Sequence, residues 1–127
     1  MLYNFGATPT DAQVPVSGLA LDANGNLYGT TNGGGQFGNG TVFELTPPAV
    51  SGEAWTESVI YSFANGSDGS TPWGTVIFDR SGNLQGTTLT GSVYALTPPP
   101  SVGGPWTGTT IYNFPGPRAT APNLKPV

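Results

Sequence analysis

Apolar side chains along this chain come in short runs of a few residues, and between the runs stand Gly, Pro, Asn, Asp and Ser. That is the patterning of strands joined by turns. No segment carries the i, i+3, i+4, i+7 recurrence of an amphipathic helix. Residues 18–22, where Leu19 and Leu21 alternate with smaller residues, predict a first strand. Residues 26–31 predict a second, and the turn between them holds Asn24-Gly25, a pair that supplies the positive-φ positions of a tight hairpin. Residues 41–46 predict a third strand, ended by Pro47-Pro48, which cannot donate ladder hydrogen bonds. Residues 55–63, rich in Thr, Val, Ile, Tyr and Phe, predict a fourth.

The same four elements are then written again, at 74–79, 83–88, 92–97 and 106–114. "LDANGNLYGTT" (21–31) returns as "FDRSGNLQGTT" (78–88), "GTVFELTPP" (40–48) as "GSVYALTPP" (91–99), and "AWTESVIYSF" (54–63) as "PWTGTTIYNF" (105–114). The copies differ in length where "NGGGQFGN" (32–39) faces a bare "LT", a change that loops tolerate and strands do not. A short motif marks three equivalent points: "LYNF" (2–5), "IYSF" (60–63) and "IYNF" (111–114). Four antiparallel strands repeating at roughly 51–58 residues is the arithmetic of a β-propeller blade. The expected fold class is therefore all-β, with propeller-type blades of four antiparallel strands, two per chain, completed by homo-oligomerisation. On this reading 1–17 form an N-terminal strand and lead-in completing a neighbouring blade. Blade one is 18–63, blade two is 64–114, and 115–127 are an extended or disordered Pro-rich tail.

A blade buries its faces only by stacking on neighbours. Propellers have about four to eight blades, so two leave open edges that invite other chains. The expected partner is the chain itself, in a closed ring of three or four copies. An open head-to-tail filament is the alternative, because "IYNF" already supplies in cis the strand that a neighbour's "LYNF" would add.

Composition narrows the chemistry. The charged fraction is 8%, against a typical ~25%. The 20 glycines and 13 prolines would suit disorder, but 3 Trp, 5 Tyr and 6 Phe with a net charge of -4 do not. With no cysteine there is no disulfide, thiolate nucleophile or Cys-ligated zinc, and with no histidine the commonest general base and transition-metal ligand are missing. Arg80, Arg118 and Lys125 are the only cations, too few for a nucleic-acid interface. No apolar run approaches the ~20 residues of a membrane-spanning helix, and no targeting signal is read in the first twenty residues.

Taken together, "LDANGNLYGTT", "GNGTVFELTPP" (38–48), "AWTESVIYSF" and "IYSFANGSDGSTPWG" (60–74) resemble the GloVer repeat, a tandem repeat of bacterial proteins of the choice-of-anchor type. The resemblance covers about residues 2–114. It implies propeller-like repeats in exported, surface-anchored proteins, hence an extracellular or cell-surface location, and it carries no established activity. The chain departs from the pattern in having two copies, in lacking the anchoring segment, and in placing Gln85 where the pattern has an aromatic.

Candidate site residues follow from the loops. Asp22 and Asp79, beside Asn24, Asn26 and Asn83, are the calcium candidates, since Asp and Asn oxygens suit a hard cation. The competing reading, favoured by their sparse spacing, is that they cap the hairpin turn. Asp68, in "NGSDGS" (65–70), invites the same two readings. Trp55 and Trp106 recur at one place and point to packing, whereas Trp73 has no bulky counterpart and, with Asp68, is the candidate ligand contact. Among Asp11, Asp22, Glu44, Glu53, Glu57, Asp68 and Asp79 no opposed catalytic pair stands out, so no enzyme activity and no cofactor are expected. The functional expectation is a structural, self-assembling blade module; the alternative is a carbohydrate or small-ligand binding module using loops or inter-blade grooves.

Overall fold

A computed structural model of the chain describes residues 3–8, 10–15, 17–101 and 104–114. Among them the protein is all-β, with nine strands and no helix. The strands are β1 (Ala12–Pro15), β2 (Ala20–Leu21), β3 (Leu27–Gly34), β4 (Thr41–Thr46), β5 (Thr56–Ser62), β6 (Pro72–Phe78), β7 (Leu84–Thr88), β8 (Ser92–Thr97) and β9 (Thr107–Asn113). They form two antiparallel sheets, β1-β3-β4-β5 with β2 also on β3, and β6-β7-β8-β9. The proposed tail, 115–127, lies outside the described residues.

Each sheet follows one copy of the repeat, and the registers coincide. Ala20, Tyr28, Glu44 and Ser58 form a cross-strand row in the first sheet, matched by Ile77, Gln85, Ala95 and Thr109 in the second. Thr30, Val42 and Tyr61 likewise match Thr87, Val93 and Tyr112. Even the irregularity recurs, between Val42 and Phe43 and between Val93 and Tyr94. Because side chains alternate across a strand, each sheet has two faces of fixed composition. The forward face carries the rows just named. The rear face carries Leu27, Phe43 and Leu45 in the first sheet and Leu84, Tyr94 and Leu96 in the second.

The forward face of the first sheet packs on the rear face of the second. One cluster joins Tyr28 and Val42 to Val76, Leu84, Tyr94 and Leu96, with Phe63 among them. Leu84 and Leu96 are fully buried, each contributing about 1.5–3 kcal/mol over exposure. A second cluster of Ala12, Phe43 and Leu45 lies on the rear face of the first sheet, where Tyr3 and Phe5 cover it. The rear faces need their glycines. A Cβ on Gly29 would lie 2.7 Å from the Phe43 ring, and one on Gly86 would collide with the Tyr94 hydroxyl, so each "GTT" glycine is the floor under an aromatic ring.

Two segments differ from the strands expected of them. The first strand of copy one, expected at 18–22, is broken into β1 and β2, whereas its counterpart β6 is continuous with a register shift between Trp73 and Ile77. The interruption falls where β6 has its register shift, and the longer glycine-rich stretch lengthens the pairing before it: β3 runs on to Gly34, giving Ala12 and Gln13 partners in Gly34 and Gly33. Residues 12–15, expected in a lead-in completing a neighbour's blade, thus pair with β3 of their own chain. Tyr3, Asn4 and Phe5, expected to end a strand, lie outside every strand. Val14 and Thr71, each preceding a proline at the start of the sheet, share positive φ angles of 58° and 56°. The strain recurs with the repeat and belongs to the strand entry.

Candidate functional site

Three features could carry function: the hairpin carboxylates, a cleft between the sheets, and the aromatic contacts that join one unit to the next.

The hairpin carboxylates are engaged locally. Asp22 Oδ1 accepts from the backbone N–H of Asn24 (2.8 Å) and Asn26 (2.9 Å), and its Oδ2 accepts from Asn26 Nδ2 (2.9 Å). Asp79 repeats the pattern with Ser81 (2.8 Å), Asn83 (2.9 Å) and Asn83 Nδ2 (3.0 Å). Gly25 and Gly82, at φ of 86° and 85°, close the turns. Hydrogen bonds from Asn83 hold Asp79 below its ordinary range. For Asp22, burial pushes upward, and donation from Asn26, Tyr28 and Asn24 outweighs it, so its pKa is also lowered. Among the described residues no cluster of three or more His, Cys, Asp or Glu gathers for a metal.

The cleft, of about 850 Å³, lies between β4, β5 and residues 98–101 and 104–106. Its polar centre is Tyr28, whose Oη stands 2.5 Å from Glu44 Oε2 and 3.0 Å from Asp22 Oδ2. Burial, then Glu44, then Asp22, push the Tyr28 pKa far up, so it stays a phenol. One phenolic proton cannot serve two carboxylates, which leaves acceptor capacity facing the cleft. Trp106 forms the wall, its ring 5.9 Å from Tyr28. Trp106 also packs on the shared core, as its recurrence suggested, and Trp55 sits at the matching place on the rear of the first sheet. The second sheet has no counterpart of this centre on its forward face, since Gln85 and Ala95 replace Tyr28 and Glu44.

The joining contacts are built from Tyr-x-Phe. Tyr61 and Phe63, just past β5, meet edge to face at 4.9 Å, and Phe63 meets Tyr94 at 5.0 Å. Asp68 anchors them, accepting from Tyr61 Oη (2.9 Å), Ala64 N (2.9 Å) and Gly66 N (3.0 Å). The chain's start makes the same structure. Tyr3 and Phe5 meet at 5.0 Å, Phe5 meets Phe43 at 4.8 Å, and Asp11 accepts from Gly6 N (2.8 Å), Ala7 N (2.9 Å) and Tyr3 Oη (3.2 Å). In both aspartates burial pushes upward and these donors prevail, lowering the pKa. Burial foremost pushes Tyr3 and Tyr61 up to about 12. The first anchor has one addition: Glu57, 3.5 Å from Tyr3 Oη, is pushed up to about 7 by burial and by Asp11. Gly108 holds its place in the second sheet.

Asp68, proposed as a ligand contact, is therefore the anchor of a packing joint, and Trp73 lies apart from it on the open forward face of the second sheet. The Asp11–Asp68 equivalence went unread because the loops before them differ by one residue, Tyr3 to Asp11 against Tyr61 to Asp68. The Tyr28 centre went unread because it does not recur. Comparison with protein-family models, curated proteins and solved structures finds no match to this chain.

Proposed function

We propose that the chain is a structural, self-assembling repeat module whose sheets are β-propeller blades, part of an exported or surface protein of the kind the GloVer resemblance implies, without catalytic activity. One observation carries this reading. The forward face that the first sheet buries against the second is left open on the second, with Trp73 52%, Ile77 60% and Tyr112 54% exposed. Large apolar side chains exposed together on one sheet face mark an association surface. Light scattering behind size exclusion tests it over a concentration series. The expected result is a mass above the 13.0 kDa chain, levelling at three or four chains for a ring and growing without limit for a filament. A 13.0 kDa species at every concentration would refute self-assembly.

The second reading, a carbohydrate-binding module, is favoured by the cleft, where Trp106 and Tyr28 offer ring surfaces beside the acceptors of Asp22 and Glu44. A glycan array, with quenching of tryptophan emission by the sugars that score, separates the two.

A further inference from the structure

The Tyr-x-Phe unit occurs three times, and among the described residues two of its copies find a seat. Tyr61–Phe63 sits on the rear face of the second sheet, and Tyr3–Phe5 on the rear face of the first. Tyr112 and Phe114 hold the same edge-to-face geometry, with centroids at 4.9 Å and planes at 70°, yet are 54% and 59% exposed. Phe114 N bonds to Gly91 O at 2.7 Å as Phe63 N bonds to Gly40 O at 3.0 Å, so the backbone already holds the pair in its seated form. Among the described residues no rear face and no aspartate receive this pair. Ala119 and Thr120 stand where the spacings of the first two units would put an aspartate.

Resting on the self-assembly reading, we infer that the partner is a second copy of this chain, whose first sheet receives Tyr112 and Phe114 on its rear face after its own Tyr3–Phe5 segment is displaced. Phe43 then takes the place of Tyr94, and Asp11 that of Asp68, as the seat of the incoming aromatic pair. Trp73 and Ile77 of the open face are buried in the same step, as Tyr28 and Val42 are buried within the chain. The resident segment is a cap in competition with this contact. It is the better hydrogen-bond donor, because Gly6 and Ala7 both donate to Asp11 whereas Pro115 has no N–H to offer. Burial of the open face must therefore supply the difference, which makes association concentration-dependent and sensitive to the cap.

The test compares full-length chains by light scattering, with circular dichroism confirming the fold. Tyr112→Ala with Phe114→Ala, both at exposed positions, should hold the chain at monomer mass where the parent associates. Phe5→Ala, which weakens the cap alone, should lower the concentration of half-association by about tenfold, the equivalent of ~1.4 kcal/mol. Tyr3→Phe, which keeps the ring and removes the bond to Asp11, should act in the same direction and serves if Phe5→Ala does not fold. Association of the Tyr112/Phe114 variant at the parent's concentration would overturn the inference and leave self-assembly standing. Loss in that variant with an unchanged threshold in both cap variants would mean that two open faces pair with each other, and would also overturn it. Monomers throughout, cap variants included, would remove the self-assembly reading itself.

Discussion

Tyr94 brings a hydroxyl into the joint between the sheets and finds no hydrogen-bond partner for it among the described residues. Its counterpart on the first sheet is Phe43, which fills the same position above Gly29 without a polar atom. A buried, unpaired hydroxyl carries its full desolvation cost, and burial accordingly pushes the Tyr94 pKa strongly up. Tyr94→Phe should therefore raise stability by about 1–3 kcal/mol, read as a higher urea midpoint at unchanged slope. A lower midpoint would mean that the hydroxyl is paired. At this scale the sequence spoke where residues recur. Asp22 and Asp79 sit in the hairpin turn their Asn-Gly and Ser-Gly neighbours indicated, and Trp106 packs as its repetition suggested. It was silent on Tyr28 and gave Glu44 and Glu57 only as two of seven carboxylates, because their roles depend on cross-strand neighbours that one chain position does not reveal.

The N-terminal segment is held to β5 through Tyr3, Asp11 and Glu57, and that element has its own pH dependence. Glu57 ionises near its ordinary 4.5 when unfolded and at about 7 when folded, because burial and Asp11 disfavour its charge. The folded chain keeps that proton between these values while the unfolded chain has lost it, so stability should fall as pH rises from about 4.5 to about 7 and then level off. The lowered pKa values of Asp11, Asp22, Asp68 and Asp79 act oppositely, withdrawing stability as pH drops below about 3.8. Glu57→Gln should abolish the upper slope and leave the lower one, as urea midpoints across the range would reveal; persistence of the upper slope would assign it elsewhere. Strand order and the four-strand unit were legible from turn residues and alternation. The pairing of Ala12 and Gln13 within their own sheet was not, because it depends on how far β3 extends into a glycine run that pattern alone reads as loop.

Across the whole molecule the two sheets are successive terms of a series. The forward face of the first sheet meets the rear face of the second, a Tyr-x-Phe pair anchored by an aspartate sits on each rear face, and among the described residues nothing covers the forward face of the second sheet. The repeat in the sequence announced the series, but not which face is buried or that the first rear face is covered by the chain's own Tyr3 and Phe5. Self-assembly therefore turns on the fate of the open face. Hydroxyl-radical footprinting of the native chain at low and high concentration reads it residue by residue. Trp73, Tyr112 and Phe114 should lose reactivity as concentration rises, while buried Phe63 and Tyr94 stay constant as internal references. Undiminished reactivity of Trp73, Tyr112 and Phe114 in an associated sample would contradict the account, since some other surface would then be joining the chains.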